Sequence, residues 1–122
     1  MNLNAARIFV RDLAEANAFY GEKLQLPVAA GSSSSGFLVF GAGNCRLVVE
    51  TIAPDAPEEE QRLVGRFTGL SFSVADVSAT HAELVKRGVV FTGEPEGQDW
   101  GGTLATLQDP AGNQLQLVQY AG

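Results

Sequence analysis

An internal repeat is the feature that most constrains how this chain folds. The segment RIFVRDL at 7–13 is matched sixty-four positions later by SFSVADV at 71–77, with a Val-x-Asp element in common. In each copy an apolar run is typical of a strand, and the Asp that follows is a favourable N-cap for a helix. A repeat of this size predicts two similar units, each of which begins with a strand and then a helix.

Each predicted helix is followed by three short β-rich runs, which glycine-containing turns separate. These runs are 28–30, 36–40 and 46–50 in the first unit, and 89–92, 103–107 and 114–119 in the second. The sequence therefore predicts an α+β fold in which a βαβββ module occurs twice within one domain, 1–122. Module one is expected at about 1–53 and module two at about 67–122. The Pro- and acid-rich segment between them is expected to be a solvated link.

Length and composition fit one globular domain and disfavour several classes of partner. The chain has 122 residues, 45% of them hydrophobic, which is enough for a core without disulfides or metals. Its net charge of −6, with only eight Lys and Arg residues, argues against binding to nucleic acid or to an anionic membrane surface. No run approaches the ~20 apolar residues that span a bilayer, and no signal-peptide pattern is present. A cytoplasmic location is expected.

Several motifs in order along the chain resemble a known family. They are VRDL at 10–13 with AFY at 18–20, WG at 100–101 and DPAGNQLQL at 109–117. Together they resemble the vicinal oxygen chelate superfamily, which includes glyoxalases, extradiol dioxygenases, fosfomycin-resistance enzymes and bleomycin-binding proteins. The resemblance implies two βαβββ modules whose curled mixed sheets surround a cleft, usually completed in a homodimer.

The metal ligands of that family do not carry over to this sequence. The resemblance implies one ligand near the start of the first strand and one on the last strand of each module, usually His, Gln or Glu. The first-strand positions fall on Ala5 and Gly69, which cannot bind a metal. The last-strand positions fall on Gln116 and on Val48, or on Glu50 if the register differs. A stable Zn, Fe or Ni site needs three or more His, Cys or carboxylate groups, so neither a metal nor another cofactor is expected.

The single histidine and the single cysteine are expected to have no role in such a site. His81 falls within the second predicted helix rather than on a cleft strand, which indicates a surface or helix-flank residue. Cys45 alternates with apolar neighbours on its strand, which predicts an inert, buried thiol.

Alternation along the strands assigns side chains to the two faces of each sheet. One parity is apolar and is expected to face the helices: Ile8, Val10, Leu47, Val49, Leu70, Phe72, Val74, Leu115 and Leu117. The other parity is mixed and is expected to line the cleft: Ala5, Arg7, Phe9, Arg46, Val48, Glu50, Gly69, Ser71, Ser73, Gln114, Gln116 and Val118. A polar lining with a floor of small residues suits an organic ligand held by hydrogen bonds.

Two arginines on the cleft parity are candidate ligand contacts. Arg7 and Arg46 are suited to hold a carboxylate or another planar anion in a bidentate geometry. The alternative is that they pair with Glu50 and only hold the ends of the strands together.

Two aromatic residues are candidate stacking surfaces. Trp100 lies in a Gly-rich loop, where a core role explains it poorly, and Phe9 shares the cleft parity. The alternative for Trp100 is a lid over the cleft or a dimer contact. Ser71, Ser73 and Gln116 complete the set of candidate ligand-binding residues as hydrogen-bonding groups.

These features leave three functional hypotheses. The first is a metal-free protein that binds a small planar organic molecule or drug in its cleft. The second is a metal-independent lyase or isomerase, with Glu50 as a general base and an Arg that stabilises the developing anion. The third, a divalent-metal-dependent enzyme, requires that the assigned register be wrong at several positions.

Overall fold

The first module forms a four-stranded sheet in a computed structural model that describes residues 1–121. Its strands are β1 (Ala5–Val10), β2 (Val28–Ser32), β3 (Phe37–Ala42) and β4 (Cys45–Thr51). Their order is β1-β4-β3-β2, with β1 and β4 parallel and the other neighbours antiparallel. The helix after β1 starts as α1 (Leu13–Ala16) and continues through wider, π-helical turns over Asn17–Lys23.

The segment that links the modules is exposed over most of its length and has regular local structure. It contains the helical turn α2 (Glu58–Gln61). The Gln61 side chain donates a hydrogen bond to the Ala53 carbonyl at 2.8 Å, and Val64 forms a bridge with Phe9 on β1. These contacts hold the link against the edge of the first sheet.

The second module repeats the plan with an added strand. Its elements are β5 (Phe67–Ser73), α3 (Val77–Lys86), β6 (Val90–Phe91), β7 (Glu96–Gly97), β8 (Thr103–Gln108) and β9 (Gln114–Gln119). The sheet order is β5-β9-β8-β6, and β7 pairs with β8. The strand predicted at 89–92 is thus only two residues long, because its pairing with β8 is interrupted after Phe91 and resumes in the same direction at Glu96.

Both helices begin as the repeat predicts. The Asp12 carboxylate accepts a hydrogen bond from the Glu15 backbone N–H at 3.1 Å, and the Asp76 carboxylate accepts one from the Ala79 N–H at 3.0 Å. Each Asp therefore satisfies a backbone donor that the first helical turn leaves without a partner. The capping contact is the same in the two modules.

The helix-facing residues of both sheets join one hydrophobic core. Ile8, Leu47, Leu115 and Leu117 are buried, as the alternation predicts. The prediction fails in part for β5, where the helix-facing Leu70, Phe72 and Val74 are only half-buried. The reason is that these side chains border cavities rather than packed neighbours: Phe72 and Val74 line one of about 460 Å³, and Leu70 and Phe72 line one of about 880 Å³.

A buried polar junction ties the two modules together. Asp109 and Asn113, 5% and 1% exposed, come from the turn between β8 and β9. The Tyr20 hydroxyl of module one donates to Asp109 Oδ2 at 2.6 Å, and Asn113 Nδ2 donates to the Phe9 carbonyl at 2.8 Å. Asn113 Oδ1 also accepts from the Gly65 N–H of the link at 2.8 Å. The junction therefore contacts both modules and the segment between them.

Asp109 is the centre of this junction. Its Oδ1 accepts from the backbone N–H groups of Ala111 and Asn113, both at 2.9 Å, and its Oδ2 accepts from Tyr20 and from the Asn113 amide. Burial raises the pKa of the Tyr20 hydroxyl well above its usual value, and the negative charge of Asp109 and their hydrogen bond raise it further. Tyr20 is therefore a neutral donor at every physiological pH.

No helix within residues 1–121 combines the length and apolar character that crossing a bilayer requires.

Candidate functional site

The cleft parity defines a face on each sheet that is open to solvent. Arg7 and Arg46 on the first sheet and Ser71 and Ser73 on the second are exposed. Val118 is an exception, because it is only 4% exposed although its parity predicts the cleft lining. The remaining residues of this parity form what we call the cleft faces of the two sheets.

The register of the sheets shows which residues of the two modules occupy equivalent positions. Arg7 lies opposite Val48, and its repeat equivalent Ser71 lies opposite Gln116. Val48 and Gln116 are therefore equivalent positions of the two modules. Glu50 lies two residues farther along, opposite Phe9.

The groups at these positions do not fit a transition-metal site. Ala5 has no donor atom, Val48 is apolar, and Gln116 offers one neutral amide. Gly69 has a φ of +75° within an irregular stretch of the β5–β9 pairing, a conformation that a His or Glu side chain adopts only with strain. Among residues 1–121, no three His, Cys, Asp or Glu side chains converge as metal ligands would.

The cleft face of the first sheet holds an ion pair beside an aromatic ring. Arg7 Nε donates to Glu50 Oε1 at 2.6 Å, and the Arg7 guanidinium carbon lies 5.2 Å from the Phe9 ring centroid. The hydrogen bond and the charge of Glu50 raise the pKa of Arg7. The Glu50 side chain is 28% exposed and that of Arg7 is 60% exposed. The general-base hypothesis requires a strongly desolvated Glu50 next to an unengaged arginine. Neither condition is met, because Glu50 reaches solvent and its arginine neighbour is engaged in the ion pair.

Arg46 differs from Arg7 in having no acidic partner. None of the three ion pairs found among the described residues involves it. It lies opposite Ala5, which has only a methyl side chain, and Gly41, which has none, so there is room around it. Arg46, Ser71 and Ser73 also border a cavity of about 880 Å³ that the two modules form together.

The cleft face of the second sheet is polar and uncharged at its centre. Gln116 Nε2 donates to the Thr106 hydroxyl at 3.2 Å, across the β8–β9 pair. Ser71 lies on the other side of Gln116, on β5. These groups offer a ligand several hydrogen bonds without a formal charge.

Gly101 and Gly102 position the Trp100 ring. Gly101 has a φ of +96°, which turns the loop back toward β8. A Cβ added at Gly102 would overlap the indole ring of Trp100 and would lie 2.6 Å from the Gln119 carbonyl oxygen. The ring therefore lies directly on the Gly102 backbone, and its centroid is 6.0 Å from that of Tyr120. Trp100 is nevertheless 52% exposed, so it is a fixed aromatic surface that solvent reaches.

The structure brings some of the predicted site residues together and not others. Arg7, Phe9 and Glu50 form one cluster on the first sheet. The Trp100 ring packs beside Tyr120 rather than Phe9. Arg46, Ser71 and Ser73 border one cavity between the modules, whereas the Arg7 cluster and the Trp100–Tyr120 pair are separate groups.

Two aromatic residues that border these groups escaped the sequence analysis. Phe37 lies opposite Glu50 on β3, and Tyr120 follows β9. Both continue the cleft parity of their strands, and both are partly exposed. Strand alternation was the signal that points to them. Tyr120 follows from extending the alternation one residue past the end of β9, and Phe37 from extending it across the β3–β4 hairpin.

Cys45 and His81 lie away from the cleft faces. Cys45 is half-buried rather than buried, because it lines the edge of the inter-module cavity. His81 lies on α3, as predicted, with its ring centroid 4.3 Å from that of Phe91.

Comparison with known proteins identifies the family. The model of the Glyoxalase/Bleomycin resistance protein/Dioxygenase superfamily matches residues 2–117. The chain belongs to this superfamily. Among curated proteins, this superfamily member is 27% identical over 126 residues to the uncharacterized protein YraH of Bacillus subtilis (strain 168), with 98% of each chain covered.

Solved structures of similar proteins have the same fold as this glyoxalase/bleomycin resistance superfamily member. A superfamily protein from Sphaerobacter thermophilus DSM 20745 matches with a TM-score of 0.82 and 27% identity, over 98% of this chain and 97% of that one. TnmS3, an antibiotic binding protein from Streptomyces sp. CB03234, matches with a TM-score of 0.78 and 28% identity, over 99% and 97%. The two-module architecture is therefore that of the superfamily.

Proposed function

We propose that this protein binds a small, planar organic molecule, of the size and shape of an aromatic antibiotic, on its cleft faces. The observation that carries the proposal is the Trp100 indole, which Gly102 holds flat while leaving it half exposed. A ring fixed in this way loses little entropy when a flat ligand stacks on it. The similarity to an antibiotic binding protein from Streptomyces supports the same ligand class.

The polar groups of the cleft faces suit a ligand with an acidic or carbonyl oxygen. Arg46 has no acidic partner among the described residues, so its guanidinium is available for a carboxylate or phenolate. Ser71, Ser73 and Gln116 add neutral hydrogen-bonding groups on the second sheet. Because Ala5, Val48 and Gly69 offer no ligand atom in their side chains and Gln116 offers only a neutral amide, we propose that the ligand binds without a metal.

The protein is proposed to act as a homodimer. The helix-facing residues of both sheets belong to one core, so the cleft faces point away from that core. A cleft with two walls then needs a second copy, whose module two faces module one of the first copy. The free edge of β5 and the exposed ring of Phe67 give such a copy a surface to cover. Sedimentation at micromolar concentration is expected to show a dimer, and a monomer alone would contradict this assembly.

The binding proposal is tested by titration with a panel of planar antibiotics and aromatic acids. Trp100 is the only tryptophan, so its fluorescence in the wild-type protein should change on binding. By calorimetry, Trp100→Ala should weaken binding by about 1–3 kcal/mol, the loss expected for a stacking anchor. Arg46→Ala should weaken the acidic ligands more than the neutral ones.

Two further variants make the test specific. Gly102→Ala keeps the Trp100 indole but displaces it from the Gly102 backbone. This variant should therefore weaken binding nearly as much as Trp100→Ala. Val85→Ala removes an exposed apolar side chain on α3, remote from the cleft faces, and should leave the affinity unchanged. Ligands whose affinity ignores Trp100→Ala and Arg46→Ala alike would contradict the proposal.

A further inference from the structure

A second cavity adjoins the 880 Å³ cavity, with which it shares Leu26, Phe72 and Ser73 as lining residues. It has a volume of about 460 Å³ and lies between α3, the edge strand β5 and the segment that follows the first helix. Both modules contribute to its walls, which are mainly apolar: Leu24, Leu26, Phe72, Leu84 and Leu117. A volume of this size falls within the ~300–1,000 Å³ of small-molecule sites.

A few polar groups converge on one side of this cavity. Arg87 Nη1 donates to the Lys23 carbonyl at 2.8 Å, and Nη2 donates to Glu83 Oε1 at 3.3 Å. The Glu83 carboxylate therefore compensates the charge of Arg87, while other guanidinium N–H groups keep their capacity to donate. The Thr80 hydroxyl makes no hydrogen bond to another described residue. The cavity thus offers hydrogen bonds but no net charge.

We propose that this second cavity, of about 460 Å³, is a binding site for a compact, uncharged and mainly apolar molecule with one hydroxyl or carbonyl oxygen. The apolar walls contact water when the cavity holds no ligand, and an apolar ligand removes that surface from water. The ligand oxygen pairs with Thr80 or with a remaining N–H of Arg87. The compensated Glu83–Arg87 pair gives an ion no advantage, which sets the ligand class apart from that of the cleft faces.

The site differs from the cleft faces in the residues that line it. Leu24, Leu84 and Leu117 line this cavity and not the 880 Å³ cavity, whereas Ser73 borders both. The cleft faces offer a flat ring on which planar molecules stack, whereas this cavity has mainly apolar side-chain walls from both modules. A bound molecule contacts both modules, so it also stabilises the folded chain.

The test uses 1-adamantanol, a neutral, globular alcohol that is too thick to stack on Trp100. Methyl-resolved NMR of the wild-type protein should show saturable shifts at Leu24, Leu84 and Leu117, and none at Val48 on the cleft face. Thr80→Trp fills the cavity and should weaken binding about tenfold or more, because the apolar contact area is lost. Ser78→Trp, on the exposed side of the same helix, is the matched control and should bind as the wild type does.

Two results would overturn the proposal. One is the absence of saturable shifts at the cavity methyls of the wild-type protein, which decides the matter even if Thr80→Trp does not fold. The other is unchanged affinity in a folded Thr80→Trp variant. Neither result bears on the cleft faces, which are probed with planar ligands and with Trp100→Ala.

Discussion

The buried junction and the open cleft faces use similar polar residues in opposite ways. At the junction, the polar atoms of Tyr20, Asp109 and Asn113 bind one another and the backbone, and no buried side-chain N or O atom in residues 1–121 lacks a hydrogen-bond partner. On the cleft faces, Arg46 and Ser71 are exposed and have few partners within the chain. Polar groups that are satisfied inside the fold hold the modules together, whereas groups left open are available to a ligand.

The most recognisable motif of the sequence belongs to the buried junction. The DPAGN segment at 109–113 is the strongest part of the family resemblance, and its turn chemistry alone explains its Gly and Pro. The structure shows that its Asp and Asn side chains face inward and join the modules. The motif therefore reports on the architecture that the superfamily shares rather than on what this member binds.

The largest expected effect is the loss of Asp109. Asp109→Ala should lower the free energy of unfolding by about 3–5 kcal/mol, because it leaves several buried donors without an acceptor, each at a cost of about 1–3 kcal/mol. Urea denaturation measures this change. Asp55→Ala, at an exposed position in the link, is the control and should have little effect. A loss at Asp109 below about 1 kcal/mol would mean that the junction does not hold the modules together.

Tyr20→Phe is expected to have the next largest effect on stability. It removes one hydrogen bond to a charged acceptor, which contributes about 1.5–3 kcal/mol at neutral pH. Because the pKa of Tyr20 is raised in the folded state, only the unfolded chain releases this proton near pH 10, where tyrosine normally ionises. The stabilisation is thus present below pH 10 and declines as the pH rises above it.

The same variant sharpens the pH dependence. Above pH 10, Tyr20→Phe should remove about 1.4 kcal/mol per pH unit from the slope of stability against pH. Tyr120→Phe, which alters an exposed tyrosine that has no Asp partner, is the matched control and should keep the wild-type slope. Equal slopes in the wild type and Tyr20→Phe would contradict a buried, neutral Tyr20.

The smallest expected effect on stability is at the cleft ion pair. Glu50→Gln breaks the contact with Arg7, but both side chains reach solvent, so the urea midpoint should shift less than for Tyr20→Phe. Its effect on ligand binding should be larger than its effect on folding, because Arg7 is then released toward an acidic ligand. A Glu50→Gln variant as unstable as Asp109→Ala would break the distinction between the two regions.

The repeat and the strand alternation predicted most of the fold because both are local patterns. The Asp caps at residues 12 and 76, the order of the elements and the helix-facing positions of β1, β4 and β9 follow from nearby residues. The burial of Val118 and the seat of Trp100 on Gly102 were not predictable in this way. The position of Trp100 depends on how the loop at 98–102 packs against Gln119 and Tyr120, which periodicity does not encode.

The candidate site was predicted as a list of residues but not as an arrangement. Parity placed Arg7 and Glu50 on one face, and the structure pairs them at 2.6 Å. The contacts between Tyr20 and Asp109, eighty-nine positions apart, join the modules through their helix-facing side. This separation of the cleft faces within one chain is a tertiary property, so it was invisible in the sequence.

Native mass spectrometry of the protein purified from its host tests the central claim most directly. It reports the oligomeric state, any retained organic molecule and any metal in one measurement. The account predicts a dimer that carries small organic molecules, released on activation, and no stoichiometric transition metal. A monomer, or a dimer that holds one Zn, Fe, Mn or Ni per chain, would contradict it.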